Sequence, residues 1–257
     1  MNNYIGFFGC LWYIITMNTQ KSQSCSLSKY LAQAGIASRR KAVDLIKSGI
    51  VMVNGAVISE PGFKLSSKDN VEVSGVSVKA EQKIYILLNK PKNCITTVSD
   101  DRNRYNVIDH LNGAIKERIY PIGRLDRNTT GLLVLTNDGE LALKLAHPRY
   151  EIEKVYNVRL DKPFTRKDMN ILLEGVQLED GLIAVDSAHF FHGESKNNLV
   201  VALHSGKNRV VRRIFEALGY EVTKLDRSCY AGLMKTGLGI GAWRPLTHAE
   251  VAALKSI

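Results

Sequence analysis

The stretch that most constrains this chain lies at residues 123–139, where a polar, turn-rich segment runs straight into an unbroken apolar one. Gly123-Arg124-Leu125-Asp126-Arg127-Asn128-Thr129-Thr130-Gly131 is followed at once by Leu132-Leu133-Val134-Leu135, and then by Thr136-Asn137-Asp138-Gly139. The aliphatic run reads as a buried strand, and a loop fixed by a rigid strand is a common seat for reactive groups. Asp126 stands in that loop with an arginine on either side. Guanidinium groups so close keep a carboxylate ionised and acceptor-only, which suits nucleophilic work. On local chemistry alone, a salt-bridged Arg-Asp-Arg turn is the simpler account.

The surrounding pattern mixes strands and helices. Strands are expected near 84–88, 131–136, 154–160 and 199–204, alternating with helices near 138–146, 165–174 and 208–218. Asn137 with Glu140 reads as a capping box, Thr165 with Asp168 as a looser one, and Gly175 and Gly219 as helix stops. There is no G-x-G-x-x-G and no Walker sequence, which argues against a nucleotide-cofactor fold. In the 208–218 helix, Val210, Val211, Ile214, Phe215 and Leu218 form an apolar stripe. Arg209, Arg212 and Arg213 fall on the other side, Arg212 nearest the stripe's edge, where it can lie half-buried beside a cleft carboxylate.

A smaller basic unit precedes this. Ser26 or Ser28 caps a helix ending at Gly35, and Ser38 caps a second ending at Gly49. Ala42, Leu45 and Ile46 line one face of the second helix; Arg40 and Lys47 project from the other, and Arg39 sits in the first turn. The β-run at 50–53 then meets Asn54-Gly55, a strong hairpin signal. The Ser-, Val- and Lys-bearing residues 74–83 read as a linker.

The 257 residues carry a formal net charge of +10 and a pI near 9.4, an excess that points to a polyanionic partner. Cys10, Cys25, Cys94 and Cys229 form no C-x-x-C pair, which argues against a zinc module or disulfide scaffold and for a reducing cytosol. His189 and His192 flank two phenylalanines with no cysteine or carboxylate cluster nearby, so no metal site is expected. The apolar run at 4–16 is short for a membrane span and lacks the basic start of a secretory signal. Residues 1–25 are expected to be a disordered or mis-assigned leader, with Met17 an alternative start.

Two resemblances organise these features. The capped helices, SRRKAVDLIKSGIVMVNG and its hairpin, at residues 26–73, resemble the S-four-like RNA-binding domain. That resemblance implies that Arg39, Arg40, Lys41 and Lys47 contact RNA phosphates. GRLDRNTTGLLVLTNDG resembles the active-site loop of the ribosomal RNA pseudouridine synthases, of the small-subunit synthase A and large-subunit synthase B type, and the resemblance runs from about Ile84 to the closing Gly241-Ala242-Trp243-Arg244-Pro245-Leu246-Thr247. Asn89-Lys90-Pro91 resembles the family's N-K-P, and His147 to Lys154 its H-P-x-Y-x-x-x-K segment, followed by Tyr156. Many relatives have glutamine where this chain has Val210, which leaves no polar contact to infer there.

The resemblance implies an α+β architecture: a small RNA-binding module, then a catalytic domain with a mixed, largely antiparallel sheet flanked by helices. It implies isomerisation of uridine to pseudouridine in ribosomal RNA, or in a ribosomal-subunit assembly intermediate, without metal or organic cofactor; the cysteine usage points to the cytoplasm, and nothing in the pattern demands more than a monomer. Asp126 would be nucleophile or initiating base, at the sugar or at uracil C6. Tyr156 would stack on the uracil and Arg212 would hold Asp126. Arg124 could fill the space vacated by a flipped base, and Arg209 would face the RNA. The rival is a non-catalytic RNA-binding assembly factor, which the joint presence of Asp126, Tyr156 and Arg212 disfavours. A nucleoside glycosidase would generally need a second carboxylate beside Asp126, and the loop offers one.

Overall fold

The computed structural model describes residues 24–257, and the chain divides into two compact units between Ala80 and Glu81. The apolar run at 4–16, and the expected leader apart from Ser24 and Cys25, lie outside the described residues. Cys25 itself belongs to the folded module.

In the first unit β1 (Cys25–Ser26) leads into α1 (Leu27–Gln33) and α2 (Arg39–Lys47). β2 (Val51–Val53), β3 (Ala56–Val57), β4 (Lys64–Leu65), β5 (Val71–Val73) and β6 (Val76–Val78) follow. A four-stranded antiparallel sheet has the order β3-β2-β5-β6, and β1 pairs with β4. The Ser38 side chain accepts from the Lys41 amide, closing the start of α2 as its sequence implied. Ser26 stands at the cap of α1 without a side-chain cap bond, and Ser28 is buried inside the helix, so neither serine caps by its hydroxyl. Leu27, Leu31, Ala42, Ile46, Val51, Val53 and Val71 form the core.

Asn54 and Gly55 take φ of 52° and 81°, the left-handed pair that a tight hairpin turn demands. Ser74 and Gly75 repeat it at 50° and 79°. Residues 76–78, expected in a linker, therefore fold back as β6 on β5. The Tyr30 hydroxyl fastens that strand by donating to the Val78 carbonyl at 3.0 Å.

The second unit holds β7 (Tyr85–Lys90), α3 (Val107–His110), β8 (Tyr120–Pro121), β9 (Thr130–Thr136), α4 (Gly139–Ala146), a 3-10 turn (Pro148–Tyr150) and β10 (Lys154–Leu160). α5 (Arg166–Glu174), β11 (Val176–Leu178), β12 (Gly181–Ile183), β13 (Ser187–Phe190), β14 (Asn198–Leu203) and α6 (Val210–Ala217) come next. β15 (Val222–Tyr230), β16 (Leu233–Met234), β17 (Trp243–Pro245) and α7 (His248–Ser256) close the chain. The sheet runs β13-β14-β10-β15-β9-β7-β17, with β16 on β15 and β8 on β9. Its pairs are antiparallel except β9 with β15, so it is mixed and largely antiparallel.

That sheet is covered on both faces, which explains why β7 and β9 show no polar alternation. Ile86, Leu88, Leu133 and Leu135 join one core with Val107, Leu172, Ile214 and Phe215, from α3, α5 and α6. Leu87, Leu132 and Val134 point the other way, to Leu141, Leu145 and Leu254 of α4 and α7. Among the described residues no helix is long and apolar enough to cross a membrane.

The start of α4 departs from its expected cap. Asp138, not Asn137, accepts from the amides of Glu140 and Leu141. Asn137 is drawn off by the approach to β7: it accepts from the Ile84 amide at 2.8 Å and donates to the Gln82 carbonyl at 2.9 Å and to Glu81 at 3.4 Å. Lys83 pairs with Asp138 at 3.0 Å. Residues 81–83, also expected in the linker, are thus fastened to the second unit.

Candidate active site

Asp126 sits in the loop between β8 and β9, and three contacts fix the backbone on either side of it. The Thr96 hydroxyl donates to the Leu125 carbonyl at 2.8 Å and receives the Leu125 amide at 3.2 Å. The Thr129 amide donates to the Asp126 carbonyl at 3.1 Å, closing a turn. From below, the ammonium of Lys90 donates to the carbonyls of Pro91, Cys94 and Arg127 at 2.9, 2.7 and 3.4 Å. Leu125 is buried, while Arg124 and Arg127 point to solvent.

Lys90 is fully buried, and burial lowers its pKa to about 8, against the favourable charge of nearby Asp126. The N-K-P tripeptide thus supplies a buried lysine that braces the Asp126 loop. Its three carbonyl acceptors are what make an interior ammonium tolerable. The tripeptide alone could equally have been an ordinary strand-closing turn.

β9 begins where the loop ends, and Gly131 decides how. It pairs with Arg227 in the parallel β9·β15 contact and takes φ of 111°. A Cβ there would lie 2.3 Å from the Arg227 carbonyl oxygen and 2.4 Å from its amide nitrogen. Glycine is what lets the two strands approach so closely at the mouth of the site.

Helix α6 brings the cations. Its N-cap residue, Arg209, has φ of 49° and ψ of 27°, a left-handed conformation unusual for a bulky residue. Nη1 of Arg209 and Nε of Arg212 each stand 3.8 Å from Oδ2 of Asp126. Arg209 is half-exposed and also reaches Glu216 at 3.6 Å. Arg212 is 14% exposed and anchored by donation from Nη1 to the Val222 carbonyl at 2.8 Å. Burial and the neighbouring Arg209 both lower its pKa from the usual arginine range. Arg213 turns away to Asp180 at 2.9 Å.

These groups edge a cleft of about 180 Å³ lined by Arg124, Asp126, Tyr156, Lys207, Arg209 and Arg227, among others. Tyr156 is only 9% exposed and stands on β10, across from Arg227 on β15. Of the residues singled out from sequence, Asp126, Tyr156, Arg209 and Arg124 line one cleft, and Arg212 stands outside its lining, against Asp126. Arg39, Arg40, Lys41 and Lys47 lie together in the first unit, all exposed on α2.

Sequence reasoning set Arg209 aside as an RNA-facing residue, yet its guanidinium is as near Asp126 as that of Arg212. It quoted Lys154 only as the end of a motif, without a role, and missed Arg227. Lys154 is held by the carbonyls of Ile152 and His204 at 2.6 and 2.7 Å, with a pKa pushed down to about 8 by burial and by the charge of Arg227. Arg227 stands in Leu225-Asp226-Arg227, which carries no turn or cap signal to mark it.

Comparison with known proteins places this site in context. The RNA pseudouridylate synthase family pattern matches residues 84–217, and the S4 domain pattern matches residues 26–71. The chain is 45% identical over 234 residues to the ribosomal large subunit pseudouridine synthase B of Bacillus subtilis, covering 90% of this chain and 96% of that one. An uncharacterized RNA pseudouridine synthase of Aquifex aeolicus is 40% identical, over 89% of this chain and 92% of its own. A pseudouridylate synthase crystal structure superposes with a TM-score of 0.63 at 27% identity, covering 90% of this chain and all of that one.

Proposed function

This chain belongs to the RNA pseudouridylate synthase family, and from that premise we propose that it isomerises a uridine of ribosomal RNA to pseudouridine, with Asp126 as the reacting carboxylate. In the net reaction the C1′–N1 bond breaks, the uracil turns, and a C1′–C5 bond forms. The hydrogen lost from C5 is balanced by one gained at N1, so no co-reactant is consumed. The resemblance to a relative named for the large subunit supports a large-subunit target.

The observation that carries this reading is the placement of Asp126. A braced loop presents its carboxylate to a cleft, with two guanidinium groups each 3.8 Å from one oxygen. Arg212, largely covered and anchored to the Val222 carbonyl, orients the carboxylate from behind. Tyr156 stacks on the flipped uracil from the cleft wall, and Arg124, exposed at the rim, fills the gap left in the RNA. Arg209 is shared between Asp126 and incoming phosphate. The α2 cations grip the RNA backbone. The protein works in the cytoplasm as a monomer, on ribosomal RNA or a subunit assembly intermediate.

Carbodiimide mapping of pseudouridine across the ribosomal RNAs tests this, comparing cells with the wild-type protein, with none, and with Asp126→Asn. One site is expected to vanish both in the deletion and in the Asp126→Asn cells. If every site survives in both, the protein is a binding factor and the catalytic reading fails.

A further inference from the structure

Two buried polar atoms at the cleft have no hydrogen-bond partner among the described residues, Nη2 of Arg227 and Oγ1 of Thr129. Arg227 is 3% exposed. Its Nε donates to the Leu132 carbonyl at 2.7 Å, and its guanidinium carbon lies 4.5 Å from the centre of the Tyr230 ring. The protein therefore fixes the group on its own account and leaves one donor edge unused. A buried charged donor without a protein acceptor is costly, and at a cleft wall a bound ligand or an ordered water is what completes it.

Its position is equally specific. Arg227 pairs with Tyr156 across β10·β15 and with Gly131 across β9·β15, between the aromatic wall and the strand that carries the Asp126 loop. Thr129 ends that loop, directly before the two β9 residues that pair with Asp226 and Arg227, and both it and Arg227 line the cleft. The other buried cation of the cleft, Lys154, is already committed to two backbone carbonyls.

We propose that Arg227 is a substrate-contacting residue: Nη2 donates to a carbonyl oxygen of the target pyrimidine and stabilises the charge that the base carries during isomerisation. Thr129 Oγ1 completes the polar patch. This rests on the reaction proposed above. When C1′–N1 breaks, its electron pair passes to the pyrimidine and spreads onto the carbonyl oxygens. Formation of C1′–C5 returns a pair to the sugar carbon, C5 loses its proton, and N1 takes one up. The carbonyl charge exists only between those steps, so a cationic donor aimed at it acts most strongly in the transition state.

The test pairs enzyme variants with altered substrates. Full-length small- and large-subunit ribosomal RNAs are transcribed with C5-tritiated UTP, 2-thio-UTP or 4-thio-UTP, and tritium release is followed for the wild type, Arg227→Met and Arg227→Lys. Sulfur is a poor acceptor, so the wild type is expected to slow about tenfold on one of the two thio RNAs. Arg227→Met is expected to turn over unsubstituted RNA on the order of 100-fold more slowly, with KM within about threefold, and to show no further thio penalty. Arg227→Lys keeps a cation in the site; it is expected to recover part of the rate, and it serves in place of Arg227→Met if that variant melts. A merely structural arginine would leave both thio penalties unchanged in the variants, and that result overturns the assignment, as does a wild type indifferent to both sulfurs. Wild-type inactivity on the unsubstituted RNAs would instead sink the reaction itself.

Discussion

Replacing Gly131 with alanine would place a methyl group inside the β9·β15 contact. Two costs follow from the geometry. The backbone is at φ of 111°, a region open to glycine and strained for alanine by roughly 1–3 kcal/mol. The new Cβ would also lie 2.3 Å from the Arg227 carbonyl oxygen and 2.4 Å from its amide nitrogen. Neither is a flexible side-chain end, so the strands must part, and the pairings of Thr130 with Asp226 and Gly131 with Arg227 weaken. Together the expected loss is about 4 kcal/mol, a large share of the ~5–15 kcal/mol that holds a domain folded. For a unit of this size that is a fall in Tm of roughly 10 °C.

Gly123→Ala is the control. Gly123 has φ of 71°, and nothing lies within 4 Å of the place a Cβ would take, so only the conformational cost of about 1 kcal/mol applies. Thermal melts compare the two, and hydrogen exchange of peptides covering 130–136 and 222–230 locates the damage. If Gly131→Ala melts within about 2 °C of Gly123→Ala, with exchange in both peptides unchanged, the close approach is not what the glycine is for.

Two further outcomes follow from the charges. Alanine at Arg39, Arg40 and Lys41 together is expected to weaken RNA binding and to reduce the slope of log K against log salt by about 2–3, read by filter binding across roughly 50 to 300 mM salt; an unchanged slope would remove α2 from the interface. Lys90 is held near 8 when folded and returns to about 10.5 when unfolded, so between those values the unfolded chain binds more protons. Stability therefore rises with pH in that window, by at most about 1.4 kcal/mol per pH unit from this group. Urea midpoints across roughly pH 8 to 10 should climb in the wild type and climb less in Lys90→Met; parallel curves would show that Lys90 titrates elsewhere.

The sequence carried the parts of this architecture that depend on local pattern. The loop around Asp126 and its strand, the hairpin at Asn54-Gly55 and the apolar stripe of α6 were all readable because a turn residue or a period marks each. Arg212 was legible because its place at the edge of that stripe restricts where it can reach. What escaped depends on register between distant strands. Arg227 acquires its meaning only from facing Tyr156 and Gly131, and no spacing within Leu225-Asp226-Arg227 records that. The approach of Arg209 to Asp126 went unread because its left-handed backbone has no sequence signal such as glycine or asparagine. Asn137 lost the cap of α4 to Asp138 through competition from Gln82 and Ile84, more than fifty positions away.

The fastening of residues 81–83 to the cap of α4 sets where this protein can be recombined. With β6 ending at Val78 and Glu81 already tied to Asn137, the seam between the two units shrinks to Lys79 and Ala80. A chimera that exchanged the RNA-binding module for another at residue 84 would strip the Lys83 ammonium from the Asp138 cap and the Gln82 carbonyl from Asn137 beside it, and the damage would surface as a poorly folded catalytic half. Joined at Ala80, the same graft keeps the cap whole and exchanges the module without touching the Asp126 site.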